Sequence, residues 1–193
     1  MEDLQDIVVE ALEVYINHIL YIRDLYPGQI FKKRRIYNTP VYVSIYPPLN
    51  TYLYKVLRTS RELLKTQELE CVEILFYKDD NKEYERYKFK TILEKNCQNE
   101  DEFLLDFEEQ LRSSLGTLAE RLKGLEKLPS DAKFRILVYT TQAAFVRLTH
   151  NAHYQDFPWL RADLKPALTH QEISLLPLTS LNCLALNVTA EIF

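Results

Sequence analysis

The chain has 193 residues, 47% of them hydrophobic and 12% aromatic, with 24 lysines and arginines against 28 acids and a net charge of -4. That length suits one well-buried domain and is too short to argue for two. The acidic balance excludes a global positive field able to hold a nucleic-acid backbone, so DNA is expected to be reached only indirectly, through a protein partner.

Three cysteines, Cys71, Cys97 and Cys183, are odd in number and far apart. They make neither a zinc cluster nor a secreted disulfide framework, and fit a reducing compartment. The amino terminus opens on Glu2, Asp3 and Asp6, which argues against a secretory signal, so the Asn187-Val188-Thr189 sequon carries no expectation of glycosylation. From Ile173 to Ala190 there is no charged side chain, but Pro177, Asn182 and Asn187 interrupt the stretch. It makes a poor membrane span, and no membrane partner is expected.

In chain order, Leu4, Val8, Ala11 or Leu12, Tyr15, Ile19 and Ile22 recur at helical spacing, and Pro27-Gly28 closes a long first helix. Ile7, Val14, Ile16 and Leu20 make its other face apolar as well, which predicts a helix running through the centre of the fold. The basic stretch from Phe31 to Thr39 and the β-branched and aromatic run Val41 to Tyr46 read as a short hairpin, ended by Pro47-Pro48. A second helix is expected from about Asn50 to Lys65, with Tyr52, Val56, Leu57, Leu63 and Leu64 on its buried stripe. Strands follow at Cys71 to Tyr77 and Tyr84 to Ile92, joined across the turn composition Lys78-Asp79-Asp80-Asn81. A third helix runs from about Glu100 to Leu122 and stops at Gly124, with Phe103, Phe107, Leu111, Leu115, Leu118 and Leu122 facing the core. Gly116 inside it marks either a tolerated defect or a close approach of another backbone, and Ser113, Ser114 and Thr117 make the region small-faced. A strand from Phe134 to Thr140 completes the core. The 53 residues from Thr141 to Phe193 carry few charges, so they must lie against the body, or against something the body holds, as a clasp.

Chemical readings are sparse. Gly28, Gly116 and Gly124 are the only glycines, too few for a phosphate-cradling loop or a dinucleotide fingerprint. His150, His153 and Asp156 stand at three-residue steps and could offer metal ligands, but Pro158 disfavours a helix there and the bland reading is a polar connector. Cys71, inside a buried strand, behaves as a small hydrophobe. No serine sits in a nucleophile turn. No catalytic residue, metal or cofactor is expected. Lys32-Lys33-Arg34-Arg35 reads as an import signal, a phosphate contact, or a solvated hairpin edge that blocks strand pairing. Tyr46, Tyr52 and Tyr54 cluster near the start of the second helix and could line a groove.

Three blocks carry a family resemblance. The first runs Asn17 to Pro27, then Ile30-Phe31, the basic run, Tyr37-Asn38, Pro40-Val41, and Leu49-Asn50 before Tyr52. The second is Asp156-Phe157-Pro158-Trp159-Leu160 with Ala162-Asp163, and the third is Leu175-Leu176-Pro177-Leu178. Together, and in this order, they make the chain similar to a HORMA domain, most of all to the branch that serves DNA polymerase zeta. The resemblance implies an α+β fold, three helices packed on an antiparallel sheet with a mobile C-terminal seatbelt. The whole chain 1–193 would then be one such domain, core to about 140 and seatbelt from about 141.

The resemblance further implies a noncatalytic adaptor in translesion synthesis and the DNA damage response. A proline-bearing segment of the polymerase catalytic subunit would be threaded under the seatbelt and contacted by Tyr52 and Trp159. A second partner, the Rev-one scaffold polymerase, would dock on the seatbelt at Leu175, Asn187 and Thr189. In this chain Thr189 stands where an aromatic ring is usual and Asn187 where glutamine is usual. Arg112 would be the contact of a homodimer or of a HORMA heterodimer, and an AAA-type remodelling ATPase would reopen the clasp. The expected compartment is the nucleus, with the cytoplasm as a second. A checkpoint or meiotic adaptor holding a different peptide, and a direct nucleic-acid binder working through Lys32 to Arg35, are the rival readings.

Overall fold

The computed structural model describes residues 4–36, 38–78, 82–93, 100–151, 154, 159–161, 171–177 and 184–193. Among them the first helix, α1 (Leu4–Ile22), is the centre of the molecule. Val8, Leu12, Tyr15, Ile16, Ile19 and Leu20 are all fully enclosed, and Asn17 and His18 are buried with them. An apolar surface on nearly every side leaves such a helix no stable position except one walled by other elements.

The basic run forms β1 (Phe31–Ile36) and pairs with β2 (Thr39–Ser44) in an antiparallel hairpin of its own. Asn38, at φ 51°, turns it. That left-handed conformation is one asparagine tolerates better than most residues. The prolines expected to end the strand also start the next helix. Helix α2 (Pro47–Lys65) has proline in its first turn, where the missing N–H costs nothing and the fixed φ suits a helix. Ser44 and Asn50 secure this corner. The Ser44 N–H donates to Asn17 Oδ1 at 3.0 Å, and Asn50 Nδ2 donates to the Ser44 carbonyl at 3.0 Å. Two residues that carry the resemblance thus stitch α1, β2 and α2 together.

β3 (Leu69–Tyr77) and β4 (Glu83–Leu93) form the expected hairpin, closed by the Lys78 N–H on the Lys82 carbonyl at 2.8 Å. Asp79 to Asn81 at its tip lie outside the described residues. Helix α3 (Glu100–Lys123) buries Phe107, Leu111, Leu115, Leu118 and Leu122 as expected. Phe103 lies where side chains are not described. Ser114 belongs to the buried face, bonded to the Tyr15 hydroxyl and to the Leu111 carbonyl at 2.9 Å. The small-faced region therefore divides: Arg112, Ser113 and Gly116 are exposed. A Cβ added to Gly116 would meet nothing within 4 Å, so among the described residues no other backbone approaches it.

β5 (Lys133–Thr140) pairs with β3. A fourth helix, α4 (Gln142–His150), then starts the stretch expected to be clasp throughout. Its N-cap is Thr141, whose Oγ1 accepts the Ala144 N–H at 3.2 Å. Two further strands, β6 (Gln171–Pro177) and β7 (Leu184–Ile192), add to the sheet, giving the order β5-β3-β4-β7-β6. Leu186, Val188 and Ala190 of β7 alternate with half-buried Asn187 and Thr189, the period-2 pattern of a strand with one face on the core. Full burial of a leucine or valine is worth about 1.5–3 kcal/mol, which answers why the uncharged tail stays docked.

A strand edge facing a strap

Among the described residues β5 has a sheet neighbour on one side only, which leaves its other edge without a strand. Tyr52 comes up to that edge from α2, and its hydroxyl accepts the Ile136 N–H at 3.0 Å. The Ile136 N–H therefore points away from β3. By the alternation of an antiparallel ladder, the main-chain groups of Phe134 and Val138 face the same way. The Tyr52 ring meets Phe134 edge-on at 5.8 Å and 86°, and Tyr26 meets the same ring at 6.1 Å. Burial raises the Tyr52 phenol above its ordinary value, so it stays neutral and available as a hydrogen-bonding group.

Along the open edge runs a groove of about 370 Å³. It is bounded by β5 from Ile136 to Thr140, by Phe145 and Leu148 of α4, by Thr59 and Leu63 of α2, and by Trp159, Leu160 and Arg161 of the tail. Trp159 is half-buried and packs against the core, whereas Leu160 is 86% exposed. Trp159 thus both pins the tail and lines the groove. Tyr154, just beyond α4, holds the tail to α2 by placing its ring 5.0 Å from the Arg58 guanidinium, a cation–π contact. Phe157 and Pro158 lie outside the described residues.

Of the three clustered tyrosines, Tyr52 alone reaches β5. Tyr54 is 63% exposed beside Arg58, and Tyr46 is exposed at the start of α2. Phe134, Phe145, Leu148, Thr59 and Leu63 were not singled out as site residues from the sequence. Their only signal was membership in an apolar stripe, which does not distinguish a core wall from a groove wall.

The register of the tail strands puts two of the second set of candidates, Asn187 and Thr189, on one face of β7. Asn187 and Thr189 alternate with the core-facing residues of β7, opposite Lys90 and Lys88 of β4. Across β6, Pro177 pairs with Asn187 and Ser174 with Thr189, and Leu175 falls at the irregularity between Ser174 and Leu176. Arg112 stands exposed on α3, apart from the groove.

His150 is exposed, its Nδ1 2.8 Å from the Val146 carbonyl, while His153 and Asp156 lie outside the described residues. Among the described residues no group of three His, Cys, Asp or Glu side chains could hold a metal ion, and no helix is long and apolar enough to cross a membrane. Burial pushes the Cys71 thiol up to about 11, with Glu73 adding to the effect, which is the reverse of an activated nucleophile. Cys97 and Cys183 lie outside the described residues.

A sheet packed on helices, a bare strand edge and a C-terminal strap returning beside that edge define the class, and the chain belongs to the HORMA domain family, whose model matches residues 5–150. Among curated relatives it is 42% identical to DNA polymerase zeta subunit 2 of Drosophila melanogaster, over 95% of this chain and 93% of that one. It is 34% identical to mitotic spindle assembly checkpoint protein MAD2B of Danio rerio, over 91% and 83%. Two solved structures share the fold. A chain of the mitotic checkpoint complex superposes with a TM-score of 0.81 at 18% identity, over 98% of both chains. Caenorhabditis elegans HTP-2 bound to the HIM-3 closure motif gives 0.71 at 13% identity, over 98% of this chain and 89% of that one.

Proposed function

We propose that the chain is a noncatalytic adaptor of DNA polymerase zeta, acting in the nucleus in replication past DNA lesions. It clamps a proline-containing segment of the catalytic subunit between β5 and the strap. The observation that carries this reading is the groove itself. An extended peptide laid in it would hydrogen-bond to the strand edge, with the Trp159 ring in the groove wall and the Tyr52 ring at the Ile136 end of the same edge to pack on proline. Likeness over nearly the whole chain to a polymerase zeta subunit supports the choice of partner, and the closure motif held by HTP-2 supports the mode. The surface of Leu175, Asn187 and Thr189 is assigned to the scaffold polymerase, Arg112 to self-association or pairing with another HORMA chain, and an AAA-type ATPase to release.

Affinity capture of proline-bearing partners tests it. Trp159→Ala and Tyr52→Ala should each lower capture at least tenfold, in line with loss of an aromatic anchor worth about 2 kcal/mol, while circular dichroism stays unchanged. Equal capture by the wild type and both variants refutes the site. Recovery of only checkpoint or meiotic proteins would keep the clamp and replace the partner.

A further inference from the structure

The hairpin β1–β2 carries the densest positive charge of the chain, and neither the groove nor the strap uses it. Lys32, Lys33, Arg34 and Arg35 are all exposed, and among the described residues none of them takes an acidic partner. Several cations of the body are instead neutralised: Arg23 with Glu85, Arg61 with Asp6, Lys78 with Asp131, Arg86 with Glu73 and Glu83, Lys88 with Glu191, and Arg147 with Glu68. Four consecutive exposed cations give a protein of net charge -4 a local region of positive potential here.

That region is concave. Lys33, Arg34 and Arg35 line a recess of about 620 Å³ with Asn38 and Pro40. Its shape is held by six register pairs, from Phe31↔Ser44 to Ile36↔Thr39, and by Phe31 and Val41 in the core. An import signal read as a single extended strand would need those pairs to open. Base stacking is also poorly served, since Tyr42 and Tyr21 stack on each other at 3.7 Å, and single-stranded nucleic acid is gripped largely through exposed rings. What remains is contact with closely spaced phosphates, densest on a duplex.

We infer that the recess formed by Lys33, Arg34 and Arg35 docks the phosphate backbone of duplex DNA, a weak, sequence-independent contact made while the groove on β5 holds its peptide. Glu108 of α3 accepts the Asn38 side-chain amide at 3.2 Å and sets a limit on this affinity, because a carboxylate beside the recess opposes an arriving phosphate.

The test is fluorescence anisotropy of a labelled mixed-sequence duplex titrated with the full chain. Three phosphate contacts predict a log–log salt slope of about −2.7, or about forty-fold weaker binding at 200 than at 50 mM salt. The triple variant Lys33→Gln, Arg34→Gln, Arg35→Gln should lose the binding, and Glu108→Gln should tighten it. Peptide capture by both should be unchanged, so failure here is separable from failure of the clamp. Absence of duplex binding at 50 mM, its survival in the triple variant, a slope near zero, or tighter binding of a single strand each overturns the assignment. So does a triple variant that loses an acidic protein partner or an import receptor but keeps DNA.

Discussion

Arg23, one residue beyond α1, shows how much a single buried side chain holds. Its guanidinium meets both oxygens of Glu85, at 2.9 and 2.5 Å, donates to the Leu122 carbonyl at 3.1 Å, and reaches the Glu126 carbonyl. Tyr87 adds a 2.6 Å hydroxyl bond to Glu85. A cation on the carbonyls that end α3 also matches the sign of that helix's dipole. With both side chains about 95% enclosed, removing one partner strands a charge in low dielectric. Glu85→Ala should cost about 3–5 kcal/mol, read by urea unfolding, whereas the paired replacement Arg23→Met with Glu85→Leu should recover most of it. Nothing in the sequence pointed to Glu85. Arg23 stood within the block that carried the family likeness, and its partner lay 62 residues away.

Elements tell a more mixed story. Helix α3 was legible from its leucine spacing, but the meaning of Gly116 was not. Since the residue is exposed with open space around it, Gly116→Ala should stabilise the monomer by up to about 1 kcal/mol and raise its melting temperature by about 2–4 °C. A loss of stability that grows with protein concentration would instead place a second copy against this helix. Helix α4 is fastened differently, by Arg147 on Glu68 at the start of β3. The bond from Arg147, and a lesser one with Thr66, hold the Glu68 carboxyl down to about 2. A depressed carboxylate contributes its stability above the ordinary value of 4.5 and loses it as pH falls toward 2. An NMR titration should show the Glu68 carboxyl near that low midpoint, and Arg147→Gln should return it toward 4.5. An unchanged midpoint would refute the fastening.

At the scale of the molecule, the tail is part of the sheet. β7 pairs with β4 over nine residues, from Glu85↔Ile192 to Leu93↔Leu184, and buries Leu186, Val188 and Ala190. Outside the core face, Lys88 and Arg86 of β4 meet Glu191, and Arg86 and Tyr139 meet the enclosed Glu73. Ending the chain at residue 170 would bare the edge of β4 and the apolar wall under β7. Such an edge invites pairing between copies, so the truncated protein should elute as aggregates in size-exclusion chromatography. A well-behaved monomer that still captures peptide would show that β6 and β7 are dispensable for the clamp.

By itself the sequence determined where the chain coils and where it extends as far as Thr140, because apolar spacing of 3.6 or 2 is a local property that each segment displays alone; α4, β6 and β7 in the tail were not read from it. It also required the uncharged tail to be covered, and its motif blocks pointed to the family. Only the tertiary structure decided that the tail joins the sheet beyond β4, that β5 has one strand neighbour among the described residues, that Tyr52 reaches its other edge, and that Trp159 lines the groove beside it. Those outcomes depend on which distant segments pair, a choice among competing long-range contacts that is settled by total burial and hydrogen-bond satisfaction, which no short window of residues encodes.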